Sequence, residues 1–229
     1  MSWREYWNSD TTVYVNDRHR VAHYRSIAGD IMDLIPAVGA RVLDYGSGEA
    51  LFAATVKAAC AHLYLSDGAE RVREGLGARA AGVPGITVLS PEETEDIPDG
   101  SLDLVVVNSL LQYLDDGERD RVLAQLRRKL KAGGRLVVAD VIPPDSGMAG
   151  DVSALLGFAA REGFLLAALV GLLRTFFSDY RKLRAELGLQ RYSEAAMMDV
   201  LTRAGFRPQR MGKNLGHNQG RMAFSAEPA

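Results

Sequence analysis

A single cysteine, Cys60, in 229 residues excludes an internal disulfide framework and fits a reducing, cytoplasmic setting. It lies among alanines, which suits a small buried packing residue better than a nucleophile. Long apolar runs are missing as well. The longest without a charge, Gly163 to Leu173, is too short to cross a bilayer, and the N-terminal stretch is charged and aromatic rather than a signal peptide. Neither sign of charge dominates: 27 basic and 29 acidic residues leave −2, which gives no general attraction to nucleic acid or to an anionic membrane. The cluster Arg127-Arg128-Lys129 with Lys131 reads as a solvated helix end, where cations suit the dipole. No internal repeat or low-complexity segment occurs. What remains, 47% hydrophobic and 24% charged, is the composition of a globular protein able to bury one good core, so one elaborated domain is expected.

Along the chain, apolar residues recur at Val21, Tyr24, Ile27, Ile31 and Leu34, which predicts a helix over 17–35 that Pro36 ends. Strands and helices then alternate. Strands are predicted at 42–45, 63–66, 86–89, 102–108 and 135–142, with helices at 49–61, 69–81 and 117–130, the last stopped by Gly133-Gly134. The strand at 102–108 is almost wholly apolar, as a strand buried on both faces is. Such alternation argues for an α/β fold: a parallel sheet with helices on both sides. After Pro143-Pro144 the pattern breaks for an insertion reaching about Tyr192. Ser193 then caps a helix over 194–204, and strands at 206–212 and 221–226 are joined closely enough to be antiparallel.

The most informative stretch is Asp44-Tyr45-Gly46-Ser47-Gly48-Glu49-Ala50. It places an acid at the end of a buried strand, followed by a two-glycine turn into a helix, and a second acid, Asp67, ends the next apolar run. A first βα turn with bare backbone, and an acid at the tip of the following strand, make a nucleoside pocket. The dinucleotide fingerprint requires a third glycine where Leu51 stands, and Asp44 would repel a diphosphate. The pattern Asp44-x-Gly46-x-Gly48 resembles the first motif of the class I S-adenosylmethionine-dependent methyltransferases, whose third glycine is often replaced, as by Ala50 here. Leu102 to Ser109, Leu130 to Val138 and Ala204-Gly205-Phe206 are similar, in order, to three further segments of that family.

The resemblance implies a seven-stranded, mostly parallel, doubly wound sheet with a terminal antiparallel strand. It also implies a single methyltransferase domain over 1–229, with a helical N-terminal cap at 1–36 and a helical lid at 145–192. The implied cofactor is S-adenosyl-L-methionine, and the implied reaction is methyl transfer to a small molecule. Gly46 and Gly48 would line its methionine half, Asp44 would orient the ammonium and Asp67 would take the ribose diol. Glu93, with Glu92 and Glu95 as rivals, would approach the adenine amino group, and Asn108 would close the site at the fourth strand's tip. A non-catalytic cofactor-binding module, or less readily a nicotinamide oxidoreductase, is the alternative.

Methyl transfer needs alignment and desolvation of the acceptor, and a base only where the acceptor must lose a proton. The candidates around the pocket are Tyr14, His19, His23, Tyr24, Gln112, Tyr113 and His217, of which His23, Tyr113 and His217 are the preferred catalytic residues. His62 reads as structural. His19 and His23 share a helix face but lack a third ligand, and Asn108 with Asp140 lacks the full acid set of a magnesium site, so no metal is expected. Ser109-Leu110-Leu111-Gln112 replaces the tetrad expected of enzymes that methylate amide or base nitrogens, and no aromatic–basic pattern supports RNA. The insertion carries leucine and phenylalanine on more than one helical face. It suggests a hydrophobic acceptor, lipid-like or aromatic, while self-packing, a homodimer or peripheral membrane contact would also cover those faces.

Overall fold

Val42 and Leu43 point to opposite faces of one strand and both are wholly buried, as are Leu104 with Val105 and Leu136 with Val137. Residues of this kind are the two halves of a core divided by a sheet. The computed structural model describes residues 14–176 and 189–229, and seven strands run through them. They are β1 (Arg41–Tyr45), β2 (His62–Ser66), β3 (Ile86–Leu89), β4 (Leu102–Asn108), β5 (Leu130–Val141), β6 (Phe206–Arg210) and β7 (Met222–Pro228). The order is β3-β2-β1-β4-β5-β7-β6, parallel from β3 to β5, with β7 antiparallel to both β5 and β6. This is the sheet that the sequence pattern and the family resemblance together predict.

One face of the sheet packs Leu43, Val105, Leu136 and Phe224 against α4 (Asp116–Lys129) and α7 (Glu194–Arg203), through Leu123, Leu126, Met197 and Leu201. The other packs Val42, Leu63, Leu104 and Val137 against α1 (Asp17–Leu34), α2 (Ala53–Ala58) and α3 (Glu70–Ala80). Local signals agree with these elements. Asn16 caps α1 by accepting from His19 N at 2.9 Å, Asp115 and Glu118 form a capping box on α4, and Ser193 caps α7.

Two predicted boundaries are corrected. The helix expected over 49–61 begins only at Ala53, because Gly48 and Ala50 both hold positive φ (57° and 40°) and the chain turns through Leu51 and Phe52 before it winds. The glycine pair 133–134 does not stop α4. That helix ends at Lys129, and β5 already pairs Leu130 with Leu102; a register shift between Leu102 and Leu104 then absorbs the glycines within the strand. Of the cations at this corner Arg128 and Lys131 are exposed, as a solvated helix end implies, and Lys129 is not. Lys129 is only 3% exposed and bridges Asp99 at 2.8 Å, Arg128 pairs with Glu95, and Arg127 Nε donates to Gly205 O.

The insertion contributes α5 (Met148–Glu162) and α6 (Leu165–Phe176), divided by Gly163 in the left-handed conformation. Phe158, Ala159, Phe164 and Ala168 close a third small core with Ala22 of α1. Part of the insertion's apolar surface is therefore covered internally, whereas Leu165, Leu166, Leu169 and Val170 stay exposed. Trp3, Tyr6 and Trp7, whose helical spacing in the sequence suggests docking on the body, and Phe177, Tyr180, Leu183 and Leu187, part of the insertion's apolar helical pattern, lie outside the described residues. Among the described residues no helix is long and apolar enough to cross a membrane.

Candidate functional site

The carboxyl ends of β1, β2, β4 and β5 open on a cavity of about 970 Å³. Its floor is the glycine turn after β1. Gly46 (φ 81°) and Gly48 (φ 57°) need the left-handed region, which glycine enters without a Cβ penalty. The turn is laced to β2: Gly46 N and Ser47 N donate to Ser66 O at 2.7 and 3.0 Å, and Gly48 N donates to Asp67 Oδ2 at 3.0 Å. Asp67 Oδ1 also accepts from Ala69 N at 2.9 Å, which starts α3. The two acids expected from the sequence are thus brought together at one turn.

Their surroundings differ. Asp44 is 7% exposed, and its carboxylate lines the cavity with no hydrogen-bond partner among the described residues. Burial first, and the nearby Asp67 second, push its pKa up to about 7. Burial also raises that of Asp67, but the backbone donors Ala69 and Gly48 and the Arg73 cation oppose the rise. A buried acid without a donor is an expensive arrangement unless a cationic ligand completes it. Asn108 supplies a second such group, since its Oδ1 is buried at the tip of β4 without a hydrogen-bond partner among the described residues.

Helix α1 roofs the cavity and is pinned at both ends. Tyr24 Oη accepts from Glu49 N at 2.9 Å, and Arg20 pairs with Glu49 at 2.9 Å. Two turns later Asp30 accepts from Gly216 N at 2.7 Å and bridges Lys213 at 2.5 Å, which ties α1 to the loop between β6 and β7. The cavity is lined on this side by Tyr14, His19, His23 and, from the β6–β7 loop, His217. His19 stacks on Phe164 at 4.9 Å and His217 on Phe158 at 4.5 Å. Desolvation, then the neighbouring His217, lowers His19 to about 4; desolvation, then His217 and His19, lowers His23 to about 3. Burial and the Arg161 cation depress His217 too, against Asp151, which raises it. All three shifts favour the neutral ring.

The expected site residues fall into place unevenly. Asp44, Gly46, Gly48, Asp67, Asn108, His23, Tyr113 and His217 all line the cavity, as do Tyr14, His19, Tyr24 and Gln112. Glu93 does not. It is exposed, and its carboxylate accepts from Ser90 N at 2.7 Å, turned back to the loop before the short turn Glu93–Asp96; the rivals Glu92 and Glu95 are on the cavity wall. His62 bonds Thr87 Oγ1 at 2.9 Å, away from the cavity, and Cys60 is buried in the core. No group of histidines, cysteines and acids among the described residues could hold a metal ion.

Sequence reading missed the far wall. Arg221, 6% exposed, donates to Asp151 of α5 at 2.7 Å, and Asn218 donates to the same carboxylate at 3.0 Å, so α5 is fastened to the β6–β7 loop. Ser109 Oγ donates to Asp140 Oδ2 at 2.7 Å across the tips of β4 and β5. These pairs join residues 31 to 70 positions apart, and no local motif announces them.

Residues 43–138 match a family profile described as a methyltransferase domain. The magnesium protoporphyrin IX methyltransferase of Synechocystis, solved with S-adenosylhomocysteine bound, is similar with a TM-score of 0.60 at 17% identity, over 99% of this chain and 93% of that one. An S-adenosylmethionine-dependent methyltransferase of Thermotoga maritima gives 0.54 at 20%, over 93% of each chain. Another from Mesorhizobium loti gives 0.57 at 18%, over 88% of this chain and 97% of that one. At these identities the structural likenesses establish the fold.

Proposed function

We infer that this chain, a class I S-adenosylmethionine-dependent methyltransferase, passes the methyl group to a small, largely apolar acceptor held under α1 and α5. One observation carries the cofactor's placement: Asp44 is buried, faces the cavity without a partner and lies beside Asp67 at a turn of bare backbone. A cation is the ligand that relieves such a site, and S-adenosylmethionine carries an ammonium and a sulfonium with no phosphate. In this reading Asp44 holds the ammonium, Asp67 the ribose hydroxyls, and Gly46 and Gly48 let the backbone approach. Asn108 uses its unpartnered carbonyl oxygen, and Glu92 or Glu95, rather than Glu93, stands at the adenine end.

The cofactor supplies an activated methyl on a good leaving group, so this chain's own residues have to orient the acceptor and exclude water. The cavity is larger than a nucleoside needs, and beyond the strand tips it is walled by Ile142, Leu155, Leu189 and Leu215 with the rings of Tyr14, Tyr113, His23 and His217. An apolar acceptor is supported by those walls. Burial makes the conjugate acids of His23 and His217 unfavourable, so their rings serve better as desolvating walls than as strong bases. We take the chain as one domain, with the helix over 17–34 as cap and α5–α6 as lid. Thermal denaturation with added ligand tests the reading. S-adenosylhomocysteine should stabilise the protein and NAD should not; the opposite pattern refutes it.

A further inference from the structure

Two neighbouring strand tips carry backbone strain that the cofactor reading does not use. Ser109, just after β4, has φ 57°, and Asp140, near the end of β5, has φ 58°. Left-handed backbone is disfavoured for a residue with a Cβ, and it persists where the surroundings impose it, often at sites of chemistry. Here the surroundings are explicit. Ser109 N donates to Ala139 O at 3.2 Å and Ser109 Oγ to Asp140 Oδ2 at 2.7 Å. Asp140 N donates to Asn214 Oδ1 at 2.9 Å. Asn214 is 2% exposed, and its amide is held in turn by the carbonyls of Leu215 and Asn218. The hydroxyl and the carboxylate are therefore fixed, and both line the cavity.

Sheet order says what lies beside them. Across the sheet the tips run β2, β1, β4, β5. With the ribose at Asp67 on β2 and the ammonium at Asp44 on β1, the sulfur joining those two halves sits over the β1 turn, and the cavity left open beside its methyl is bordered by the tips of β4 and β5. We propose that Asp140 binds the methyl acceptor by accepting a hydrogen bond from the N–H or O–H of its nucleophilic atom, and that Ser109 is the positioning residue that orients the carboxylate. The inference rests on the cofactor placement above. It defines the acceptor as an apolar amine or alcohol rather than a carbon nucleophile. As the nucleophile's lone pair bonds the methyl carbon, the carbon–sulfur pair stays on sulfur and the N–H or O–H proton passes to Asp140. Ile142, Leu155 and His217 enclose the apolar remainder.

The test needs no knowledge of the acceptor. Sinefungin carries an ammonium-bearing carbon where the cofactor has its methyl sulfonium, whereas S-adenosylhomocysteine has nothing there. Calorimetric titration of both into wild type and Asp140→Asn reads the charge at that point; asparagine tolerates left-handed backbone and can still accept from Ser109. The variant should lose about tenfold in sinefungin affinity while S-adenosylhomocysteine changes less than twofold. Equal losses for both ligands, or no loss for either, overturn the assignment of Asp140. Failure of wild type to bind either ligand sinks the cofactor placement, and this inference with it. Ser109→Gly relieves the strained φ, so it should melt no lower than wild type and still lose part of the sinefungin preference. A wild-type preference in that variant removes Ser109 from the pair.

Discussion

Replacing Asp44 by asparagine should make the ligand-free protein more stable and the cofactor complex weaker. The carboxyl has an ordinary value of 3.8 and is held at about 7 in the fold. Between those values the folded state binds more protons than the unfolded state, so stability falls as pH rises and levels off above the folded value. Three units correspond to about 4 kcal/mol, an upper figure because water entering the cavity would relieve part of it. For a chain of this length about 1 kcal/mol moves the melting temperature by roughly 2–4 °C. Asp44→Asn should therefore gain up to about 10 °C over wild type at pH 8 and almost nothing at pH 4. The histidines also titrate in this range, but they do so in both proteins, so the difference isolates position 44. Added S-adenosylhomocysteine should reverse the ranking, because the variant lacks the charge that holds the ammonium. Differential scanning fluorimetry across pH, with and without that ligand, measures both effects. A variant less stable than wild type at pH 8, with an undiminished ligand shift, would refute the reasoning.

Asp67→Ala should abolish stabilisation by S-adenosylhomocysteine, since it removes the proposed ribose acceptor and releases Gly48 N and Ala69 N; an intact shift disproves the ribose assignment. At Gly48 a Cβ would come within 2.7 Å of Tyr24 Oη at a φ of 57°, so Gly48→Ala should cost about 1–3 kcal/mol in urea denaturation. Combined with Tyr24→Phe, which removes that oxygen, the loss should be smaller than the sum of the single losses by at least about 0.5 kcal/mol; strict additivity would show that the hydroxyl is not the obstacle. His19 and His23 have folded values of about 4 and about 3, below the ordinary 6.5. The unfolded chain binds their protons first, so stability should fall as pH drops below about 6.5, and NMR titration should show neither ring charging above pH 5.

The sheet was legible because each strand is written locally. Val42 to Tyr45 and Leu102 to Asn108 are apolar runs bounded by turns, and burial on both faces permits little else. The floor of the cavity was legible for the same reason, as Asp44, Gly46, Gly48 and Asp67 sit at fixed spacings from strand ends. Errors arose where conformation or distant contacts decide. Nothing in Ala50 announces its positive φ, which delays α2, and Gly133-Gly134 looks like a helix stop although β5 extends through it. Glu93 differs from its neighbours only by which way a single short turn points its side chain. Ser109 with Asp140, and Arg221 with Asp151, depend on chain ends that meet only after the sheet has formed. That side of the cavity is assembled by topology, and a linear reading sees its residues one at a time.

A crystal structure with S-adenosylhomocysteine tests the cofactor placement most directly. The account predicts ribose hydroxyls hydrogen-bonded to Asp67 and the ligand's ammonium nearest Asp44, with its sulfur between the two and its open side facing the tips of β4 and β5. A ligand seated elsewhere, or a diphosphate resting on the turn at Gly46 and Gly48, would contradict it.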